Sequence, residues 1–94
     1  MNALEVLNKN KNLIKKRFGV TKIGIFGSYA RSEAKVESDV DVLVEFEKGR
    51  STFDNFMDMV FFLEELFGKK VDLITTKGLD RHIRPYVEKE VVWF

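Results

Sequence analysis

The 94-residue sequence predicts an α+β fold: a small mixed β-sheet flanked by helices, formed as one domain over residues 1–94. Three observations predict it. Short apolar runs at 22–26, 39–46 and 70–75 read as strands. Helical patterns precede, separate and follow them, and no repeat, linker or low-complexity segment interrupts the series.

Each element has its own signals. Asn2, with Glu5 three residues on, starts a first helix that ends near Gly19. Lys22-Ile23-Gly24-Ile25-Phe26 is a short strand leading into a Gly27-Ser28 turn, after which Tyr29 to Ala34 read as the first turns of a helix. The run from Asp39 to Phe46 alternates, with Val40, Val42, Val44 and Phe46 on one face and Asp39, Asp41, Leu43 and Glu45 on the other. Lys48-Gly49-Arg50 is a loop, Ser51 or Thr52 caps a helix running to Phe67, and Gly68 ends it before the strand Lys70–Thr75. Asp80 is placed to cap the last helix, with Pro85 early in it or kinking it. Val91-Val92-Trp93-Phe94 is an apolar tail, read as a final strand in preference to a segment docked on another subunit.

Composition narrows the class. Hydrophobic residues make up 45% and charged residues 33%, as in a soluble globular protein. No apolar run approaches the roughly 20 residues needed to span a bilayer. Met1-Asn2-Ala3-Leu4-Glu5 lacks a signal-peptide layout, so the cytoplasm is the expected location. The net charge is +1 with acids and bases interspersed, which argues against direct nucleic-acid binding. The densest basic stretch, Lys9 to Arg17, reads as a solvated helix face.

The chemistry lies in the spacing of a turn and three acids. Gly27 lets the backbone approach an oxygen closely, and a helix start behind it offers unpaired N–H groups to a phosphate. Asp39 and Asp41, two apart on a strand, sit roughly 6.6 Å apart at Cα and can converge on one ion. Two such carboxylates repel unless a cation lies between them. Oxygen ligands suit Mg²⁺ or Mn²⁺; zinc is disfavoured because cysteine is absent and the one histidine, His82, is distant and is given no catalytic role. If the Lys70–Thr75 strand lies beside the first acid strand, Asp72 joins them, either binding a second ion or accepting the proton of an attacking hydroxyl. Taken singly, a Gly-Ser pair is a turn, Asp-x-Asp a solvated strand face and Asp72 a satisfied strand-end carboxylate. Their joint occurrence favours nucleoside triphosphate chemistry.

Gly27-Ser28-Tyr29-Ala30-Arg31, continued through Ser38-Asp39-Val40-Asp41-Val42-Leu43-Val44 and Val71-Asp72-Leu73, resembles the signature of the DNA-polymerase-β-like nucleotidyltransferase superfamily. Within it the chain is similar to the minimal nucleotidyltransferases (MNT) of prokaryotic toxin–antitoxin pairs. The resemblance covers nearly the whole chain and implies a polymerase-β palm-like fold. It implies that Gly27 and Ser28 bind the triphosphate, with Ser38, beside the acids, also binding nucleotide and Arg31 either a phosphate or partner contact or an exposed arginine. It implies that Asp39 and Asp41 ligate magnesium, with two ions expected, and that Asp72 is the third acid. Ser32 departs from the pattern, standing where the family usually has glycine after the arginine.

The activity so implied is transfer of AMP from ATP to a tyrosine hydroxyl of a cognate HEPN-family toxin, with release of pyrophosphate. One alternative is a non-catalytic antitoxin that neutralises its toxin by binding. Another is nucleotidyl transfer to a small molecule or RNA. In the helix ending at Phe67, Phe53, Phe56, Met57, Met59, Val60, Leu63, Leu66 and Phe67 form a broad apolar arc. Phe62 falls on the polar side and Phe61 at the border, either as ordinary edge coverage or as a partner-facing patch.

Overall fold

The computed structural model describes residues 2–94; Met1, the first residue of the start read above as lacking a leader, lies outside them. The elements run α1 (Ala3–Phe18), β1 (Val20–Phe26), a 3₁₀ turn (Gly27–Tyr29), β2 (Val40–Phe46), α2 (Phe53–Phe67), β3 (Val71–Thr75), α3 (Arg84–Glu90) and β4 (Val92–Trp93). The sheet order is β3-β2-β1-β4, with β2 and β3 parallel and the other pairs antiparallel. The expected mixed sheet flanked by helices is therefore present.

Local chemistry sets the helix ends. The Asn2 side chain accepts the Glu5 amide at 3.1 Å, and Thr52 Oγ1 accepts the Asn55 amide at 3.2 Å, so each caps its helix. Asp80 does not cap α3: its Oδ1 accepts the His82 amide at 2.7 Å in the turn before the helix. The helix instead begins at Arg84, with Pro85 in its first turn, where the fixed proline φ suits a helix start and its missing N–H loses no bond.

The two faces of the sheet are covered unequally. Alternation sends Val40, Val42 and Val44 of β2 into a core with Ile23 and Ile25 of β1. That core is closed by Leu7, Ile14 and Phe18 of α1 and Met59, Leu63 and Phe67 of α2. On the opposite face a much smaller cluster joins Phe26 and Leu43 to Leu79 and Val87 of the α3 region. Leu43, grouped with the acids by alternation, is thus buried under α3.

Two expectations for α2 change. Phe53, placed in the apolar arc, is 77% exposed because the helix starts there at the sheet margin. Phe62, placed among polar residues, is half-buried and meets Phe18 edge-on, ring centres 5.4 Å apart. The Arg17 guanidinium lies 5.0 Å from the centre of the Phe62 ring, so this aromatic packs on the end of α1. Phe61 stays exposed.

The tail forms the expected strand. Trp93 lies opposite Gly24 and Val92 opposite Ile25, and the Phe94 amide donates to the Ile23 carbonyl at 2.8 Å. Gly24 permits this: a Cβ there would stand 2.7 Å from Val91 Cγ2 and 2.9 Å from the Val92 carbonyl oxygen.

Candidate active site

Strand register assembles the acids. Asp41 on β2 lies opposite Phe26 on β1 and opposite Asp72 on β3. Register partners project to the same face, so Asp41 and Asp72 stand side by side on the thinly covered side. Asp39 precedes the first residue of β2 and, two positions from Asp41, continues that face. Asp39 and Asp72 are exposed, and Asp41 is half-buried.

The Asp41 carboxyl reports this crowding. Its pKa is pushed up from 3.8 to about 6, first by burial and then by the negative charges of Asp72, Asp39 and Glu90, with Arg31 pulling the other way. Four acids therefore act on one small region.

The Gly27 turn crosses directly over Asp41. Gly27 has φ +74°, and a Cβ at this position would collide with Asp41 Oδ2. Both the left-handed backbone and the close approach therefore require glycine. Ser28 is half-buried in the same turn, and its carbonyl accepts the Glu33 amide at 2.8 Å. The helix expected over Tyr29–Ala34 does not form: the 3₁₀ turn ends at Tyr29, and irregular backbone leads to β2. Ser32 explains the break, with φ +58°, the left-handed region that cannot continue a right-handed helix. The glycine-like conformation at Ser32 is thus kept although the residue is serine. Ser38 Oγ accepts the Lys35 amide at 2.9 Å and closes this loop just ahead of the acids.

Glu90 is a component that sequence reasoning missed. Its Oε1 accepts the Gly27 amide at 3.0 Å, and its Oε2 accepts Arg31 Nη1 at 2.8 Å. Arg31, beside Glu90 and more loosely Glu33, is held even more firmly protonated than a free arginine. The one sequence signal was a carboxylate in the last turn of a predicted helix, where the macrodipole disfavours negative charge and a partner is required.

The donor set fits a hard divalent cation. Three carboxylates supply only oxygen, and Asp41 and Asp72, in register on adjoining strands with Asp39 two positions along, gather negative charge that a cation would neutralise. Among the described residues no three such side chains close around a single point, so phosphate oxygens would have to complete a coordination shell.

The Nucleotidyltransferase domain family matches residues 7–94. Protein adenylyltransferase MntA of Thermococcus cleftensis is 44% identical over 88 residues, covering 94% of this chain and 88% of that one. The chain is a minimal nucleotidyltransferase. A solved structure assigned to the minimal nucleotidyltransferases superposes with a TM-score of 0.78 at 36% identity, covering 95% of this chain and 93% of that chain. A tri-AMPylated Shewanella oneidensis HEPN toxin in complex with MNT antitoxin gives a TM-score of 0.70 at 19% identity, covering 99% of this chain and 71% of that chain, and shares the fold. The minimal nucleotidyltransferase thus has its acids on adjoining strands and its glycine turn above the middle one. Among the described residues no helix is long and apolar enough to cross a membrane.

Proposed function

We propose that this minimal nucleotidyltransferase is a cytoplasmic antitoxin that transfers AMP from ATP to a tyrosine hydroxyl of a HEPN-family toxin. The observation that carries the reading is the register of Asp41 against Asp72, with the Gly27 backbone pressed on the Asp41 carboxylate. A triphosphate lying along Gly27, Ser28 and Arg31 has its α-phosphorus brought toward the acids. Ser38 supports it by fixing the loop that delivers Asp39. Asp39 and Asp41 would hold Mg²⁺, or Mn²⁺ in its place, and Asp72 is the third acid that would serve a second ion. When bound, the metal would supply positive charge to offset that of the phosphates.

In the transfer, the acceptor oxygen forms a bond to the α-phosphorus. The bond to the β-bridging oxygen breaks, and pyrophosphate leaves with the electron pair. Asp72, exposed at the sheet edge, takes the acceptor proton. A protein acceptor is supported by a relative named a protein adenylyltransferase and by a fold neighbour that is an antitoxin bound to an AMPylated toxin. The near-neutral charge disfavours RNA as the acceptor.

The test is to incubate the protein with the product of the adjoining reading frame, ATP and Mg²⁺, and to read masses. A gain of AMP on a partner tyrosine is expected. Transfer should fall at least about a hundredfold in Asp41→Asn, the scale of removing one preorganised electrostatic group. Neutralisation of the partner that survives Asp39→Ala and Asp41→Ala, with no mass gain from the intact protein, would establish inhibition by binding alone.

A further inference from the structure

Glu90 already occupies donors that a triphosphate would need. Its two carboxylate oxygens take the Gly27 amide at 3.0 Å and the Arg31 guanidinium at 2.8 Å, one oxygen to each. An amide and a guanidinium presented together form a ready pair for two oxygens of a phosphate. Glu90 also adds negative charge to the field that already burdens Asp41, and it sits at the helix end where the dipole opposes it. The helix that carries it spans only Arg84–Glu90, packs on a small cluster through Val87 with Val91 beside it, and leads into β4 on β1. Release of the donors therefore needs only the Glu90 side chain to swing away, loosening the last helical turn while Val87 and β4 keep their places.

We propose that Glu90 is an internal stand-in for phosphate, holding the Gly27 amide and Arg31 in the nucleotide-free protein and yielding both to the triphosphate when nucleotide binds. This rests on the nucleotide site described above. The exchange keeps the anion site formed between turnovers, because its donors are never left without an acceptor. It also makes nucleotide affinity a difference between two anions competing for the same donors. When Glu90 leaves, one of the negative charges around Asp41 moves away as the phosphates arrive.

The test compares AMP-PNP binding, with Mg²⁺, to the intact protein and to Glu90→Gln and Glu88→Gln, by calorimetry. Glutamine keeps the size of the side chain and, through its single oxygen, can still accept from one of the two donors, while the charge that competes with phosphate is lost. Glu88→Gln removes the same charge from the same exposed helix without touching Gly27 or Arg31. Glu90→Gln should bind about tenfold more tightly, and Glu88→Gln should stay within about twofold of the intact protein. Equal or weaker binding by Glu90→Gln overturns the exchange, as does an equal gain in Glu88→Gln, which would point to diffuse repulsion. Binding by none of the three overturns the nucleotide site itself, and the exchange with it. Should Glu90→Gln fail to fold, hydrogen exchange on the intact protein decides. AMP-PNP should speed exchange in the last turn of α3, residues 88–91, and unchanged or slower exchange there overturns the proposal.

Discussion

The two faces of this sheet are made from the same strands and do different work. On one, alternate valines of β2 disappear beneath two long helices in a dry core. On the other, the intervening positions carry Asp41 and Leu43, and cover comes from a seven-residue helix and a four-residue cluster. Both faces belong to the same residues of β2, one position apart. The packed core lies where the cover is thick, and where it is thin the carboxylates stay in contact with solvent.

Substitutions on each face should separate stability from transfer. The largest effect on stability belongs to the thick face: Leu63→Ala, at a fully buried position, should cost about 2–5 kcal/mol in denaturant unfolding. Transfer per folded molecule should be unchanged; a specific loss of activity would show that the faces are coupled. Asp41→Asn should do the reverse on the thin face. The native Asp41 pKa of about 6 lies above the ordinary 3.8, so the folded state holds this proton more tightly than the unfolded chain does. The associated stability is complete below about pH 4 and is lost as pH rises through about 6. Asparagine carries no charge and escapes that loss. Without metal at pH 7.5, Asp41→Asn should therefore melt higher by on the order of 1 kcal/mol, a value discounted for solvent screening of a half-exposed group. The advantage should fade below pH 4, and a gain independent of pH would reject the electrostatic cause.

The smallest effect falls in the loop that joins the faces. Ser32 holds a left-handed backbone at φ +58°, and Ser32→Gly should relieve it. Glycine also gives the unfolded chain more freedom, so the net gain should be roughly 0.5–1 kcal/mol, read as a rise of a few degrees in melting temperature. A fall would mean that the serine hydroxyl makes a contact worth more than the strain.

How much the sequence disclosed differs between these regions for physical reasons. Alternation made the thick face of β2 readable, and the same alternation aligned Asp39 with Asp41. The meeting of Asp41 and Asp72 needed only the assumption that their strands were neighbours, and the parallel register supplies it. Leu43 among the acids was a visible hint that their face was partly covered. Glu90 was unreadable as part of the site: it comes 49 positions after Asp41, on a short helix whose docking depends on Leu79 and Val87. The loop after Gly27 was misread as helical because nothing in Tyr29–Ala34 announces the positive φ at Ser32. Phe62 was misplaced because a helical wheel does not record a neighbouring helix end that offers Phe18 and Arg17.

Asp72 rides on β3, which is an edge strand of the order β3-β2-β1-β4 among the described residues. In the proposed transfer, an acid on such a rim has no door to open and no vestibule to pass. Selectivity would then come from the shape of whatever docks against the rim, where Asp72 stands exposed. A hydroxyl fixed on the outside of a bulky molecule can reach this ledge, whereas a deep cleft would shut it out.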